Sequence, residues 1–396
     1  MSFTANYGDA LQMAEFAFIA VNTPSGPAGE TDTTFVSQAA EAVLTSAATG
    51  STIVVKSTVP PGTAASLADL ARLRGRPDVY VVSNPEFLRQ STAVHDFFHP
   101  DRIIIGSDSR EQAERVAKLY EHLHSPVYFC GTRSAELAKY AANGLLATRL
   151  SFMNEIASLS EAVGADIEEV QNAVCLDPRI GSGYLRAGLG WGGSCLPKDL
   201  LGLIRLQTAN GCEPAITAAV YEVNARQRQS AFTRLRNSLH EIDEPVVAVL
   251  GLAFKPGTDD VRGSPAIEVI ARLMEDGVHV RAHDPLAEAN ARAVIPNVPF
   301  CEDPYDAVSQ ADALFVATEW PDYLALKWDT VRARMRGDLV FDGRNCLDAG
   351  LLRSLGFRYL CFGRATAPVT LPQEALPLAR QHRNGHRRAG VEVGRT

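Results

Sequence analysis

The chain contains no CxxC pair, no apolar run of membrane-spanning length and no basic stripe, and each absence removes a class of function. Its seven cysteines stand at positions 130, 175, 195, 212, 301, 346 and 361. An odd number at irregular spacing does not make a disulfide framework. Free cysteines usually pack as small hydrophobes, and six of the seven are read that way. A formal charge of -8 leaves no electrostatic footprint for nucleic acid. The first residues, MSFTANYGDALQMAEF, lack the basic-then-apolar layout of a signal peptide, and no apolar run is long enough for a bilayer. The expectation is a soluble, cytoplasmic protein with no nucleic-acid or membrane partner. His95 and His99 have helical spacing and His122 and His124 lie close together, but neither pair has a third ligand nearby. Both read as structural, with no metal site.

What is present is alternation. β-branched and aromatic runs at Phe16–Val21, STIVVKS, DVYVVSN and DRIIIGS read as strands, with helical patterns at Thr34–Ala48 and Gly62–Leu73 between them. Such alternation implies a parallel sheet wound on both faces, with ligands at the C-terminal strand ends. From Ser134 to Gly164 apolar residues recur at helical spacing without proline, which predicts one long helix, and helical patterning continues to Leu239. A second α/β unit follows in VVAVLGLAF, VRAHD, ALFVAT and LVFDG. The predicted fold is α/β: two Rossmann-like doubly wound domains joined by a helical connector with one long central helix. The boundaries expected are 1–130, 131–240 and 241–365. A Pro-, Gly- and Arg-rich tail, 366–396, is expected to lack fixed structure.

The strongest chemical signal is GLGWGGSCLPKD, residues 188–199. Its glycines permit close backbone approach to a ligand. Pro197 suits the first turn of a helix, which places Cys195 at the helix N-terminus. There the helix dipole and Lys198 favour the thiolate, and Asp199 is a candidate base. A glycine-rich turn holding an inert buried cysteine is the plain alternative. Lys139 and Asn143, four apart on the long helix, put an ammonium and an amide on one face, suited to a developing oxyanion. A salt-bridged Lys and a surface Asn would look the same in isolation. Three strand ends, Val21-Asn22-Thr23-Pro24-Ser25, Ser57–Pro61 and Asn84–Leu88, present hydroxyl, amide and carboxylate groups, although any one could be a simple loop. After the first strand of the second unit, GLAFKPGTDDVR offers Lys255 and Arg262 to an anion, and FDGRN offers Arg344. It is not a Walker A loop.

Taken together and in this order, VNTPS, STVPPGT, NPEFL, DRIIIG, AELAKYAANGLLATRLSFMNEI, GWGGSCLPKD, GLAFKPGTDDVRGSPA and DGRN resemble the UDP-glucose/GDP-mannose dehydrogenase family over residues 1 to 365. The resemblance implies that NAD twice oxidises the C6 alcohol of a nucleotide sugar to the acid, with Cys195 carrying a thiohemiacetal and then a thioester. It implies that Lys139 and Asn143 stabilise the oxyanion, Asp199 assists as base, and Thr58 and Glu86 hold the water. For the nucleotide sugar it implies Phe87, Leu88, Arg89, Arg186, Gly188, Gly190, Gly192, Phe254, Lys255 and Arg344. For NAD it implies Val21, Asn22, Thr23, Pro24, Ser25, Ser57, Thr58, Gln90, Lys198 and Arg262. Arg179 resembles an arginine lent to a partner's active site, so a homodimer through the helical connector is implied. UDP-glucose is the leading substrate; GDP-mannose, a TDP-sugar and UDP-N-acetylmannosamine are the alternatives, as is a homologue that binds nucleotide sugar without turnover.

Two features depart from the family pattern. Gln90-Ser91 stand where the family has Glu-Gly, removing a carboxylate beside the nicotinamide. No GxGxxG precedes VNTPS, so the helix N-terminus that would hold the pyrophosphate is not written there. The expectation is an N-terminally incomplete first domain. A misassigned start codon is preferred over a truncated, inactive form.

Overall fold

The computed structural model describes residues 2–365, so the 366–396 tail lies outside it. The first part runs α1 (Tyr7–Leu11), β1 (Phe16–Ile19), α2 (Thr34–Ser46), β2 (Thr52–Val55), α3 (Thr63–Leu73), β3 (Tyr80–Ser83), α4 (Ala93–Phe98), β4 (Ile103–Gly106), α5 (Arg110–Lys118) and β5 (Val127–Cys130). The strands form one sheet in the order β1-β2-β3-β4-β5. Each residue of β2 is buried, as expected of a β-branched run covered on both faces. Apolar side chains of α2 and α3 cover one face, and Val54, Val82 and Ile105 pack with α5 on the other.

Two strands, β4 and β5, depart from the parallel expectation. β4 meets β3 antiparallel, through Ser83 and Gly106, while β4 and β5 are parallel to each other. A parallel return needs a crossover of about a dozen residues packed on the sheet. Residues 84–102 contain only a 3-10 turn at Gln90–Thr92 and the six-residue α4, and many of them line the central cavity. The reversal of β4 is the geometric cost of giving that segment to the cavity.

The middle consists of α6 (Thr132–Val163), α7 (Ile167–Cys175), α8 (Leu196–Ala209) and α9 (Ala215–Ser238). The long helix predicted from Ser134 is α6, which ends where Gly164 turns left-handed at φ 75°. The last part runs β6 (Val246–Leu250), α10 (Pro265–Glu275), β7 (His279–His283), α11 (Glu288–Val294), α12 (Pro304–Val308), β8 (Ala313–Val316), α13 (Pro321–Leu324), α14 (Trp328–Arg334), β9 (Leu339–Asp342), α15 (Ala349–Ser354) and β10 (Arg358–Cys361). Its sheet, ordered β10-β9-β8-β6-β7, is parallel throughout and sits within one continuous apolar core. The order reverses between β6 and β8, and the segments that follow these strands and β9 supply Phe254, Lys255, Glu319 and Arg344 to the cavity.

Candidate active site

A cavity of about 910 Å³ opens between the two sheets and the central helices. Cys195 lies on its wall, exposed, as the N-cap residue of α8. Pro197 stands in the first turn, as its fixed φ favours. The Ser194 hydroxyl is 3.6 Å from the thiol sulfur.

Two pairs of groups converge beside the thiol. Lys139 and Asn143, one turn apart on α6, are both nearly enclosed yet line the cavity. Lys139 Nζ is 3.0 Å from Glu86 Oε1, and the backbone N–H of Leu88 donates to Glu86 Oε2 at 2.6 Å. The carboxylate is therefore gripped at both oxygens. Asn143 Nδ2 donates to Asp199 Oδ2 at 2.5 Å, and Lys198 Nζ donates to Asp199 Oδ1 at 2.6 Å. Asp199 is 1% exposed, so its charge is held by two partners behind the thiol and faces no open space. The cation expected to favour the thiolate, Lys198, is committed to Asp199 and stands 3.5 Å from Thr23 Oγ1. Two other cations feel the sulfur. Burial lowers the Lys255 ammonium, aided by Arg89 and opposed by Asp96 and Cys195, and the Arg262 guanidinium is raised first by Asp260, with Cys195 contributing.

The glycines of the 188–193 loop approach protein. A Cβ on Gly192 would lie 2.2 Å from the carbonyl oxygen of Gly263. Gly193, at φ 87°, would drive one into the Phe254 ring. These residues let the thiol loop lie against the second sheet's backbone, which fixes Cys195 between the halves. From the central side, Asn154 accepts from the N–H of Gly188, Asn224 bonds both backbone groups of Trp191, and Gln227 donates to the carbonyl of Gly188.

Phe87, Leu88, Arg89, Arg186, Gly188, Gly190, Gly192, Phe254, Lys255 and Arg344 all line the cavity. The Arg102 guanidinium stacks 3.9 Å from the Phe87 ring centroid. Arg344 spends its fork on the carbonyls of Ala317, Gly190 and Phe254, bracing the strand ends against the glycine loop, with Glu319 3.4 Å away. Arg89 is gripped by Asp96, and Lys255 Nζ donates to Ser91 Oγ at 3.2 Å, joining the two halves across the cavity. Arg179 is remote from the cavity lining, with its side chain 87% exposed and paired to Asp177. The rings of His95 and His99 stack at 4.5 Å on the rim.

Val21, Asn22, Thr23, Pro24, Ser25, Ser57 and Thr58 follow β1 and β2 and do not line the cavity. Ser57 Oγ donates to the carbonyl of Val21 at 2.7 Å, tying the two strand ends together. Lys198, 3.5 Å from Thr23 Oγ1, adds an ammonium to these hydroxyls, donors of the kind the carboxamide or phosphate of NAD would take, while Arg262 lines a second cavity. Gln90 lines that second cavity, of about 370 Å³, with Asp260 and Arg262. A carboxylate in its place would meet that acid. The N-terminus of α3 is closed to a pyrophosphate, because Glu136 accepts from Gly62 N at 2.6 Å and Ala64 N at 2.7 Å. Burial raises the Glu136 carboxyl, and those two N–H groups oppose the shift. The spacing GxGxxG occurs once, at residues 188, 190 and 193, where no strand of the sheet precedes it.

Sequence reasoning missed Lys56, Asn84 and Glu136. Asn84 opens the NPEFL block already singled out. Lys56 follows a buried strand, where an ammonium on the cavity wall could have been suspected.

In sequence and fold the chain is similar to known proteins. Residues 1–124 match the NAD binding domain, 133–226 the central domain and 248–349 the UDP binding domain of the UDP-glucose/GDP-mannose dehydrogenase family, so NAD is the cofactor. UDP-glucose 6-dehydrogenase of Pseudomonas aeruginosa is 42% identical over 382 residues, 93% of this chain and 84% of that protein. UDP-glucose 6-dehydrogenase TuaD of Bacillus subtilis is 37% identical over 377 residues, 94% and 82% of the two chains. The structure of a UDP-glucose dehydrogenase from the archaeon Pyrobaculum islandicum superposes with a TM-score of 0.83 at 40% identity, covering 92% of this chain and 83% of that one. A UDP-D-ManNAc dehydrogenase from Pyrococcus horikoshii gives 0.80 at 27% identity, covering 91% and 83%. With three domains matched in order and relatives this similar over nearly its whole length, the chain belongs to the UDP-glucose/GDP-mannose dehydrogenase family.

Proposed function

We propose that this chain oxidises the C6 alcohol of UDP-glucose twice, to UDP-glucuronate, through a covalent intermediate on Cys195. The observation that carries the reading is that an exposed helix-N-terminal thiol lines one cavity with Glu86, Lys139 and Asn143, the first two paired to each other and the third held by the buried Asp199. NAD supplies the hydride acceptor for each oxidation. An aldehyde has no carbinol hydride to give until a nucleophile adds, and the Cys195 thiolate is that nucleophile. Its addition forms the C–S bond and an oxyanion, toward which Lys139 and Asn143 retain unused N–H donors. The second oxidation leaves a thioester. Water adds to its carbonyl, the C–S bond breaks, and the thiol is restored. Glu86 takes a proton from that water. Asp199 keeps Asn143 and Lys198 in place from behind.

The regions we assign are the NAD half at 1–130, the dimerising helices at 131–240 and the nucleotide-sugar half at 241–365. Leu145, Phe152 and Leu159 stand exposed at seven-residue spacing along α6, an apolar stripe suited to a second copy of the same helix. A homodimer through this face would leave the exposed Arg179 free to enter the partner's cavity.

The test supplies purified chain with NAD and, separately, UDP-glucose, GDP-mannose and UDP-N-acetylmannosamine, and follows NADH. The expected result is two NADH per UDP-glucose, with slower turnover of the others. Preference for another sugar, or binding of UDP-glucose with no NADH formed, refutes the proposal.

A further inference from the structure

Lys56 is an ammonium that the mechanism above does not use. It directly follows β2, and its side chain is folded onto the cavity wall that also holds Glu86, Lys139 and Cys195. Lys56 Nζ donates to Asn84 Oδ1 at 3.2 Å, and the same oxygen accepts from Tyr120 OH at 2.6 Å. Asn84 Nδ2 is fixed on the carbonyl of Ile104 at 2.8 Å, so the amide cannot turn to offer its other end. The ammonium also lies 5.6 Å from the Tyr120 ring centroid. This cradle orients a long side chain and satisfies one of its three N–H groups. It sits at Asn84-Pro85-Glu86, the turn that carries the carboxylate.

The reaction needs such a group. Oxidising an alcohol to a carboxylate with two hydride acceptors and one water releases three protons. Glu86 is held at both oxygens, by Lys139 and by the Leu88 N–H, and must lose each proton it takes before it can act again. Lys139 is itself enclosed and serves the oxyanion.

We propose that Lys56 is a positioning residue that acts through Glu86, receiving its proton by way of water in the cavity that both line and releasing it to solvent. The transfer is balanced: carboxylic acid and neutral amine become carboxylate and ammonium, and the ammonium then yields the proton to solvent. The inference rests on the proposed function, and it goes beyond it by giving a task to a residue outside the thiol's own partners.

The electrostatics agree. Burial lowers the Lys56 ammonium from 10.5 to about 8, with Glu86 opposing the shift and Lys139 adding to it. Tyr120, the third titratable neighbour, is pushed up to about 12 by burial, so it stays protonated beside Lys56. The other charged or titratable groups that line the cavity are Arg89, His95, Asp96, His99, Asp101, Arg102, Tyr184, Arg186, Cys195, Lys255, Glu319 and Arg344. An amine of this kind exists in both forms near neutral pH, which an ordinary lysine does not.

The experiment has two arms on the full chain. In the first, trace acetylation across pH, read by mass spectrometry on the Lys56 peptide, gives the midpoint without any turnover. It should fall near 8, and move lower in Glu86→Gln, which removes the opposing negative charge. In the second, kcat is measured against pH for wild type, Lys56→Met and Lys56→Arg with UDP-glucose and NAD. Wild-type kcat should rise with pH through a limb near 8. Lys56→Met should lose that limb and fall on the order of a hundredfold at pH 9 with KM little changed. Lys56→Arg, which stays charged, should fail to restore it. Restoration by arginine would mean that only a cation is required and would overturn the relay. A midpoint at the ordinary lysine value would overturn it as well. If wild type forms no NADH at any pH, the proposed function fails and takes the relay with it, while the labelling midpoint still reports the amine.

Discussion

Replacing Lys56 with methionine should stabilise the protein at neutral pH, and the size of the gain follows from the burial of its charge. The ammonium titrates at about 8 in the folded chain against 10.5 when unfolded. Below about 8 both states hold the proton, and the folded state bears the whole penalty. At 1.36 kcal/mol per pH unit this is about 3 kcal/mol. Between about 8 and 10.5 the unfolded chain binds more protons, so stability rises with pH and the penalty fades. Methionine keeps the apolar stem and carries no charge. It forfeits the bond to Asn84, worth about 1 kcal/mol, leaving a net gain of about 2 kcal/mol at pH 7. Urea unfolding of both proteins at pH 7 and pH 9.5 measures the difference. The bond to Asn84 is lost at both pH values, so the change with pH isolates the charge. The advantage of Lys56→Met should shrink by about 2 kcal/mol across that interval. An advantage that stays constant, or a variant equally destabilised at both pH values, would refute the account of a buried, depressed amine.

Gly192→Ala should lower the unfolding temperature, because its Cβ would meet the Gly263 carbonyl and push the thiol loop off the second sheet, a misfit of about 1–3 kcal/mol; an unchanged transition in differential scanning calorimetry would contradict the contact. Phe152→Asp should shift the protein from dimer to monomer in sedimentation, and a persistent dimer would place the interface elsewhere. Arg344→Lys should weaken UDP-glucose binding on the order of tenfold, about 1.4 kcal/mol, because an ammonium cannot span the carbonyls of Ala317, Gly190 and Phe254. Calorimetric titration reads that loss, and unchanged affinity would deny the brace.

Local signals carried much of this protein. β-branched runs ended by turn residues located β2, β3 and β4, and period-3.6 apolar spacing located α6 within two residues of its start. Proline two residues after the cysteine located the thiol at a helix N-terminus, where the structure places it. What escaped depends on contacts distant in sequence. The glycines of the thiol loop read as made for a ligand, yet Gly192 and Gly193 meet Gly263 and Phe254, distant in sequence. Lys198 seemed a partner for the thiol, but Asp199 and Asn143 assemble a charge cluster that only the packing of α6 on α8 creates. The reversed β4 could not be read from IIIG, because strand direction is set by the path of residues 84–102 and not by the strand's own residues. Glu136 likewise looked like one more polar residue on a helix until α3 was seen to end on it.

The central claim is that Cys195 carries the sugar as a thioester between two oxidations. Glu86→Gln removes the group that takes the proton from attacking water and leaves the thiol and its other partners in place. Intact-mass and peptide analysis of this variant, quenched in acid after mixing with UDP-glucose and NAD, tests the claim directly. The account predicts one UDP-glucuronyl group accumulating on the Cys195 peptide and disappearing when Cys195→Ser is added. No adduct on that peptide, together with full turnover by Cys195→Ser alone, would contradict it.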